Sequence, residues 1–530
     1  MTVHSSAGMV TASHALAAQS GARILAEGGN AIEAALATAA TLAVVYPHMT
    51  GLGGDAFWLI AEPQRAPVTI DGAGRAGAAV TDSLYRHHGL RDIPWRGPLA
   101  ANTVAGAVSS WSAAWEVGRR WGGGMPLSRI FAEAASLAEH GVPVTAGHAD
   151  AASRFRSALE AVPGFSALHF IDGAPPAAGA VLFQPALART LRALARDGLM
   201  SFYSGALARQ MAAELAAAGV PLNAADLAGQ SAAIRRPLQL KLPVAELFNC
   251  PPPSQGLASL LILGIFSRLP AAQPDGFAHI HGIIESTKLA FAVRDREVGH
   301  REDDGSMLER YLTSSELERS AALIDPRRAA PWQGDAGEGD TAWFGVIDAS
   351  GRAVSAIQSL YFEFGSGVGL PDSGFVWQNR GCAFRLGGEG PNVLAPRRKP
   401  FHTLNPAFAR FPDGRTMVYG AMGGDGQPQT QAALFSRYAF YGQDLQEAIS
   451  APRWVLGRTW GESRSALRLE SRFPDQLLTQ LCAAGHPVER VAAFDPIMGH
   501  AGAIVYSSSR GFQGASDPRS DGAAVGCARI

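Results

Sequence analysis

Gly339-Asp340-Thr341-Ala342-Trp343-Phe344-Gly345-Val346-Ile347-Asp348 is followed, after two residues, by Gly351-Arg352-Ala353-Val354-Ser355-Ala356. The apolar positions after Thr341 predict a strand, Asp348 to Gly351 a turn, and a second strand reaching about Leu360. On these residues alone Thr341 has two readings. It is a threonine at the start of an edge hairpin, or it is a residue exposed as a new N-terminus by self-cleavage. Cleavage would set an α-amino group, with an ordinary pKa of about 7.7–8.0, beside the threonine hydroxyl. Such an amine is suited to taking the hydroxyl proton near neutral pH. The preceding segment, Pro326 to Gly339, is rich in Pro, Gly, Ala and acidic residues and has little regular pattern. It reads as the exposed, flexible end that a cut after Asp340 would need.

Working outward, Thr341, Asp348, Gly351, Ala353 and Val354 resemble the nucleophile region of the γ-glutamyltransferase family, a branch of the N-terminal-nucleophile hydrolases. Gly28-Gly29-Asn30-Ala31, Gly51-Leu52-Gly53-Gly54-Asp55, Pro251-Pro252-Pro253-Ser254 and Gly423-Gly424 match further family stretches in the same order. The resemblance implies an α+β fold, the four-layer α-β-β-α sandwich. It implies a large subunit, 1–340, and a small subunit, 341–530, that form one structural unit after autocleavage between Asp340 and Thr341. Thr341 would be the nucleophile and its own α-amine the base. The expected partner is a small-molecule amide, with no cofactor and no metal. Pairing of two such units as a dimer of heterodimers stays open.

Bulk properties fit a large enzyme. A chain of 530 residues with 47% hydrophobic content can bury an extensive core, and would ordinarily suggest two or more domains. A formal net charge of -1 gives nucleic-acid binding no support. Ala31 to Tyr46 is the most apolar early stretch. It contains Glu33 and is short for a membrane span, so it reads as a buried helix capped by Asn30. Met1 to Gly8 has neither a basic region nor a long apolar run, which favours a cytoplasmic enzyme. The four cysteines lack metal spacing, disulfides are not expected, and Cys250 reads as a packed thiol. His281 and Glu285 would share one face of a helix from Phe277 to Arg294. No second histidine completes a His-Glu-x-x-His pattern, so ion pairing between helices, from a helix carrying Glu285, Lys288 and Asp295, is the preferred reading.

The remaining site residues follow from departures as much as from matches. Gly51 to Asp55 reads either as a tight turn needing positive φ or as a close backbone approach near the site. Arg75, by itself a solvent-exposed arginine, takes the place of the family's α-carboxylate clamp, and a guanidinium offers the planar fork a carboxylate needs. Gly423 and Gly424 take the place of the oxyanion hole, in a Gly-rich turn after the strand Thr416 to Tyr419. Ser359 corresponds to a hydroxyl near the nucleophile. Tyr361 stands where relatives have Asn, Arg380 where they have Glu or Gln, and His402 and Thr403 where they have two serines. Most telling, the acidic pair that binds the substrate α-amino group is Cys382-Ala383 here. A buried ammonium without a carboxylate partner would be costly. The pattern resembles the oxamate amidohydrolase branch, of purine and allantoin breakdown, which implies a short amide with a carboxylate and no amino group. A γ-glutamyltransferase or glutathione hydrolase is the alternative, then a cephalosporin or glutaryl acylase. An uncleaved relative that only binds is the reading from another class.

Overall fold

The computed structural model describes residues 1–270, 273–301, 303, 305–332, 340–457 and 466–527. Two seven-stranded antiparallel sheets form its centre. One runs, edge to edge, Ala523–Cys527, Gly8–Ala12, Asp340–Asp348, Ala353–Tyr361, Asp55–Ala61, Val68–Gly72 and Ala233–Arg235. The other runs Val3–Ser5, Gly511–Ser516, Ala501–Ser507, Thr416–Ala421, Ala407–Arg410, Glu246–Asn249 and Leu238–Lys241.

Strand alternation builds the layers. In the Thr341 strand, Ala342, Phe344 and Val346 face a helical layer, while Trp343 and Ile347 face the second sheet. In the opposite sheet Val418 faces inward, while Met417, Tyr419 and Ala421 face helices. The period of two therefore places apolar residues on both faces of each sheet, and helices must cover the outer ones. Ala31–Val45 covers the first sheet, and Gly256–Phe266, Phe277–Glu297 and Gly426–Phe435 cover the second. The result is the expected four-layer α-β-β-α sandwich. Sheet strands from both sides of residue 340 interleave in both sheets.

The helix Ala31–Val45 is buried along its whole length. Asn30 caps it, accepting from the Ile32 and Glu33 N–H groups, and Glu33 accepts in return from the Asn30 N–H at 2.8 Å. The one charge in the apolar run is thus part of a capping box, and it also accepts from the Met125 N–H at 2.9 Å.

Two local expectations change. The Thr341 hairpin lies in the middle of its sheet, because Gly8–Ala12 and Asp55–Ala61 flank it. Gly51, Gly53 and Gly54 do not adopt positive φ; a Cβ on Gly53 or Gly54 would lie 2.1 Å from the Val376 or Ser359 carbonyl oxygen, so close approach is what demands glycine. The stretch Gln427 to Thr430 lies inside the helix that starts at Gly426. Of the segment before Thr341, 326–332 carries no helix or strand, and 333–339 lies outside the described residues. No helix among the described residues is long and apolar enough to cross a membrane.

Candidate active site

Thr341 is fully buried in the strand Asp340–Asp348, which continues unbroken through the Asp340–Thr341 peptide. Pairing with the neighbouring strand is regular from Ala342 onward, with Ala342 opposite Gln358. It shifts before that, with Asp340 opposite Tyr361. Thr341 therefore sits at a bulge, the irregularity that re-aims a side chain out of a ladder. The flanking strand Gly8–Ala12 pairs only with Phe344–Asp348, which leaves the Thr341 end without that neighbour. The Thr341 hydroxyl oxygen accepts from Gln427 Nε2 at 3.3 Å. Ser359, buried across the bulge, accepts the Tyr361 N–H at 2.8 Å, and Tyr361 takes a φ of 86°. Gln427 escaped the sequence reading because nothing local distinguishes it from any helical glutamine.

Gly423 and Gly424 have φ of 119° and 52° and lead into the helix Gly426–Phe435. The Gly423 carbonyl accepts the Gly426 N–H at 2.7 Å, which fixes the peptide carrying the Gly424 N–H. Gln255 Nε2 donates to the Gly424 carbonyl at 2.9 Å and to the Thr403 carbonyl at 2.8 Å. Arg294 holds Gln255 in turn, donating to its Oε1 at 3.1 Å, and pairs with Asp425 at 3.0 Å. The glycine turn and the Thr403 segment are thereby tied to one buried amide.

Arg380 is the least expected charge. It is 1% exposed, and its Cζ lies 3.6 Å from the centre of the Tyr361 ring. Nη2 donates to Thr403 Oγ1 at 3.1 Å, and Nη1 is buried without a hydrogen-bond partner. Among the described residues no carboxylate comes within ion-pairing distance of it. Burial pulls the guanidinium down to about 10, against the opposing fields of Tyr361 and Asp55, so it is cationic at neutral pH. Arg75 is half-buried, with Nη1 donating to the Arg397 carbonyl at 2.9 Å. It too has no carboxylate partner among the described residues. Cys382 is half-buried, with its thiol directed at the Pro94 carbonyl at 3.0 Å. Burial pushes that thiol up to about 12, so no negative charge arises where relatives carry the acidic pair.

His402, which stands where relatives have a serine, is tied into the protein by both ring nitrogens. It is fully buried, its ring lies edge-on to Phe57, and both nitrogens are engaged. Nδ1 accepts from the Leu404 N–H at 3.4 Å, so Nε2 carries the proton and donates to Asp55 Oδ2 at 3.1 Å. Burial, and then Arg380 and Lys399, hold the ring well below the usual histidine range. A neutral, doubly committed imidazole has no hydrogen bond to offer a substrate. Its partner Asp55 was read only as the end of a glycine turn, yet it accepts four hydrogen bonds.

Away from this site, Glu285 pairs with Lys288 at 2.7 Å, one turn along the same helix, where pairing between helices was the expectation. The fold brings His486 to within 2.9 Å of His281, which sequence spacing did not show. Lys288 occupies the Glu285 oxygen nearest the histidines, so the cluster is satisfied largely by its own contacts. All four cysteines are free.

A threonine at a bulged, half-flanked strand end, a glycine turn leading into a helix and two arginines with no carboxylate partner among the described residues make up the candidate site. The family model described as Gamma-glutamyltranspeptidase matches residues 17–527. The chain belongs to that family, and its fold is that of the N-terminal-nucleophile hydrolases. It is 52% identical to the oxamate amidohydrolase proenzyme of Klebsiella pneumoniae subsp. pneumoniae, over 98% of both chains. It is 40% identical to the glutathione hydrolase-like YwrD proenzyme of Bacillus subtilis, also over 98% of both. The crystal structure of cephalosporin acylase from Bacillus halodurans superposes with a TM-score of 0.90 at 30% identity, covering 99% of this chain and 97% of that one.

Proposed function

We propose that the protein is a self-processing amidohydrolase that cleaves oxamate to oxalate and ammonia through a threonyl ester on Thr341. Arg380 carries the reading. A fully buried cation with a free N–H and no carboxylate partner suits a substrate carboxylate, and it would repel the ammonium of a γ-glutamyl group. The 52% identity to an oxamate amidohydrolase proenzyme supports the same substrate.

In the precursor, Thr341 Oγ attacks the Asp340 carbonyl and the peptide nitrogen becomes the Thr341 amine. Water then cuts the resulting ester, giving subunits 1–340 and 341–530. In the mature site the amine takes the hydroxyl proton as Oγ bonds to the amide carbon. The Gly423 and Gly424 N–H groups receive the oxyanion, at no cost of desolvating a side chain. Collapse breaks the C–N bond, and the ammonium proton leaves with the nitrogen as ammonia. Water hydrolyses the acyl ester and restores the threonine. Arg75 and Arg380 hold the carboxylate, Thr403 steadies Arg380, and Ser359 and Tyr361 shape the wall beside the nucleophile. Four free thiols support a reducing, cytoplasmic setting, and the reaction would recover nitrogen from purine breakdown.

Ammonia release from oxamate, compared with turnover of a γ-glutamyl anilide on the same processed preparation, tests the substrate. Oxamate is expected to have the higher kcat/KM, by roughly 30-fold to several thousand-fold for one unpaired charged group. A γ-glutamyl value equal to or above it would move the assignment to glutathione hydrolysis and leave Thr341 as nucleophile.

A further inference from the structure

We infer that Asp55 is a positioning residue that assembles the carboxylate-binding end of the site. The inference rests on the proposed roles of Arg75 and Arg380. Asp55 is fully buried at the start of its strand. Its Oδ1 accepts from the Gly74 N–H at 3.0 Å, the Gly106 N–H at 2.9 Å and Gln378 Nε2 at 3.0 Å. Its Oδ2 accepts from His402 Nε2 at 3.1 Å.

Three of these donors stand next to the anion-binding groups. Gly74 directly precedes Arg75, Gln378 lies two residues before Arg380, and His402 directly precedes Thr403, which accepts from Arg380. Gly74 and Gln378 lie outside helices and strands, and His402 makes only an isolated bridge to Ser254. Apolar packing is non-directional and cannot set the rotation of such segments. Four hydrogen bonds to one rigid carboxylate can. Gly74 is confined as well, because a Cβ there would lie 1.5 Å from the Val104 carbonyl oxygen.

The protonation state matters to this arrangement. An ionised carboxylate accepts from all four donors, whereas a protonated one carries an O–H that must displace one of them. The titratable and charged groups facing Asp55 are His402, which is neutral, Arg380, and Tyr203 from the segment Leu199–Tyr203 that packs behind Ser109. Burial pushes Asp55 up to about 7, against the pull of Gln378, Arg380, Gly106 and Gly74. The carboxylate-binding end is therefore assembled above neutrality and loosens as pH falls through that value.

The test uses processed enzyme and oxamate. Asp55→Asn keeps the shape but puts an amide donor or a weaker acceptor toward His402. Its KM for oxamate is expected to rise about tenfold or more, with kcat changed far less. The wild-type KM is expected to rise on acidification between about pH 8 and pH 6, and that of Asp55→Asn to stay flat. Gln378→Met, similar in size, removes one bond that favours the ionised form and should shift the wild-type transition to higher pH. An Asp55→Asn enzyme with unchanged KM, or with a loss confined to kcat, overturns the inference. So does a Gln378→Met transition at the wild-type pH, which remains decisive where Asp55→Asn does not fold. Failure of the underlying substrate reading shows in the wild type itself, as absence of oxamate turnover.

Discussion

In the proposed mechanism one side chain, Thr341, both cuts its own chain and serves as nucleophile, and both tasks need the same hydroxyl. Thr341→Ala is expected to give a single full-length band on a denaturing gel and no ammonia release. Two bands with the junction still at residue 341 would remove the residue from the processing step. Since its amine must be neutral to act as base, kcat should rise with pH through about 7.7–8.0. The two arginines make different demands. Arg75→Lys keeps the charge and loses the planar fork, so its defect in kcat/KM should exceed what charge alone predicts. Arg380→Met orphans no carboxylate, so thermal stability should hold or rise while oxamate kcat/KM falls by roughly 30-fold or more. Loss of both stability and activity in Arg380→Met would instead make Arg380 a structural cation.

The element that sets the distance between the sheets is the Thr341 strand, through Trp343. Its indole lies over three glycines. A Cβ would come 2.1 Å from it at Gly420, 2.3 Å at Gly502 and 2.7 Å at Gly345. The indole N–H donates to Ser355 Oγ at 3.0 Å, which fixes the ring's rotation. The strand carrying Thr341 is thus wedged against the strand that leads to Gly423. Gly420→Ala should cost about 1–3 kcal/mol in denaturant unfolding. It should also lower kcat, because the shift falls between nucleophile and oxyanion donors. A stability loss with unaltered kcat would show that the spacing of the sheets does not reach the chemistry.

At the scale of the molecule, segments far apart in the last third of the chain are joined by a buried ion network. Asp517 accepts from Arg519 Nη1 at 3.0 Å, from the Ala501 N–H at 2.7 Å and from Arg453, while Arg519 also pairs with Glu470 at 2.6 Å. Asp517→Asn leaves two buried cations short of an anion and should cost about 3–5 kcal/mol. Burial alone would raise the Asp517 carboxyl, but Arg453, Arg519 and His500 together lower it. Its stabilisation is therefore fully present above an unfolded value of about 3.9 and is lost as pH falls through the lower folded value. Asp517→Asn should flatten that part of the acid-unfolding curve. The interleaved sheets carry a second expectation. After cleavage, 341–530 still contributes strands on both sides of 1–340, so the two pieces should co-purify until a denaturant unfolds the whole sandwich.

The loss of an acidic pair at Cys382-Ala383 was legible only beside the family's motif, whereas local pattern in the chain was enough for the Thr341 hairpin, the capped and buried helix Ala31–Val45 and the Gly423-Gly424 turn. Each rests on residues within a few positions of one another, where periodicity, capping and side-chain chemistry act directly. The tertiary structure alone decided that the hairpin is central, that His402 turns to Asp55, that Gln427 reaches Thr341 and that His486 meets His281. Those partners lie tens to hundreds of residues apart in sequence, and which polar groups meet depends on strand register and sheet spacing. Apolar burial drives the layers together without direction. The buried donors and acceptors then have to find partners among whatever the packing brings near.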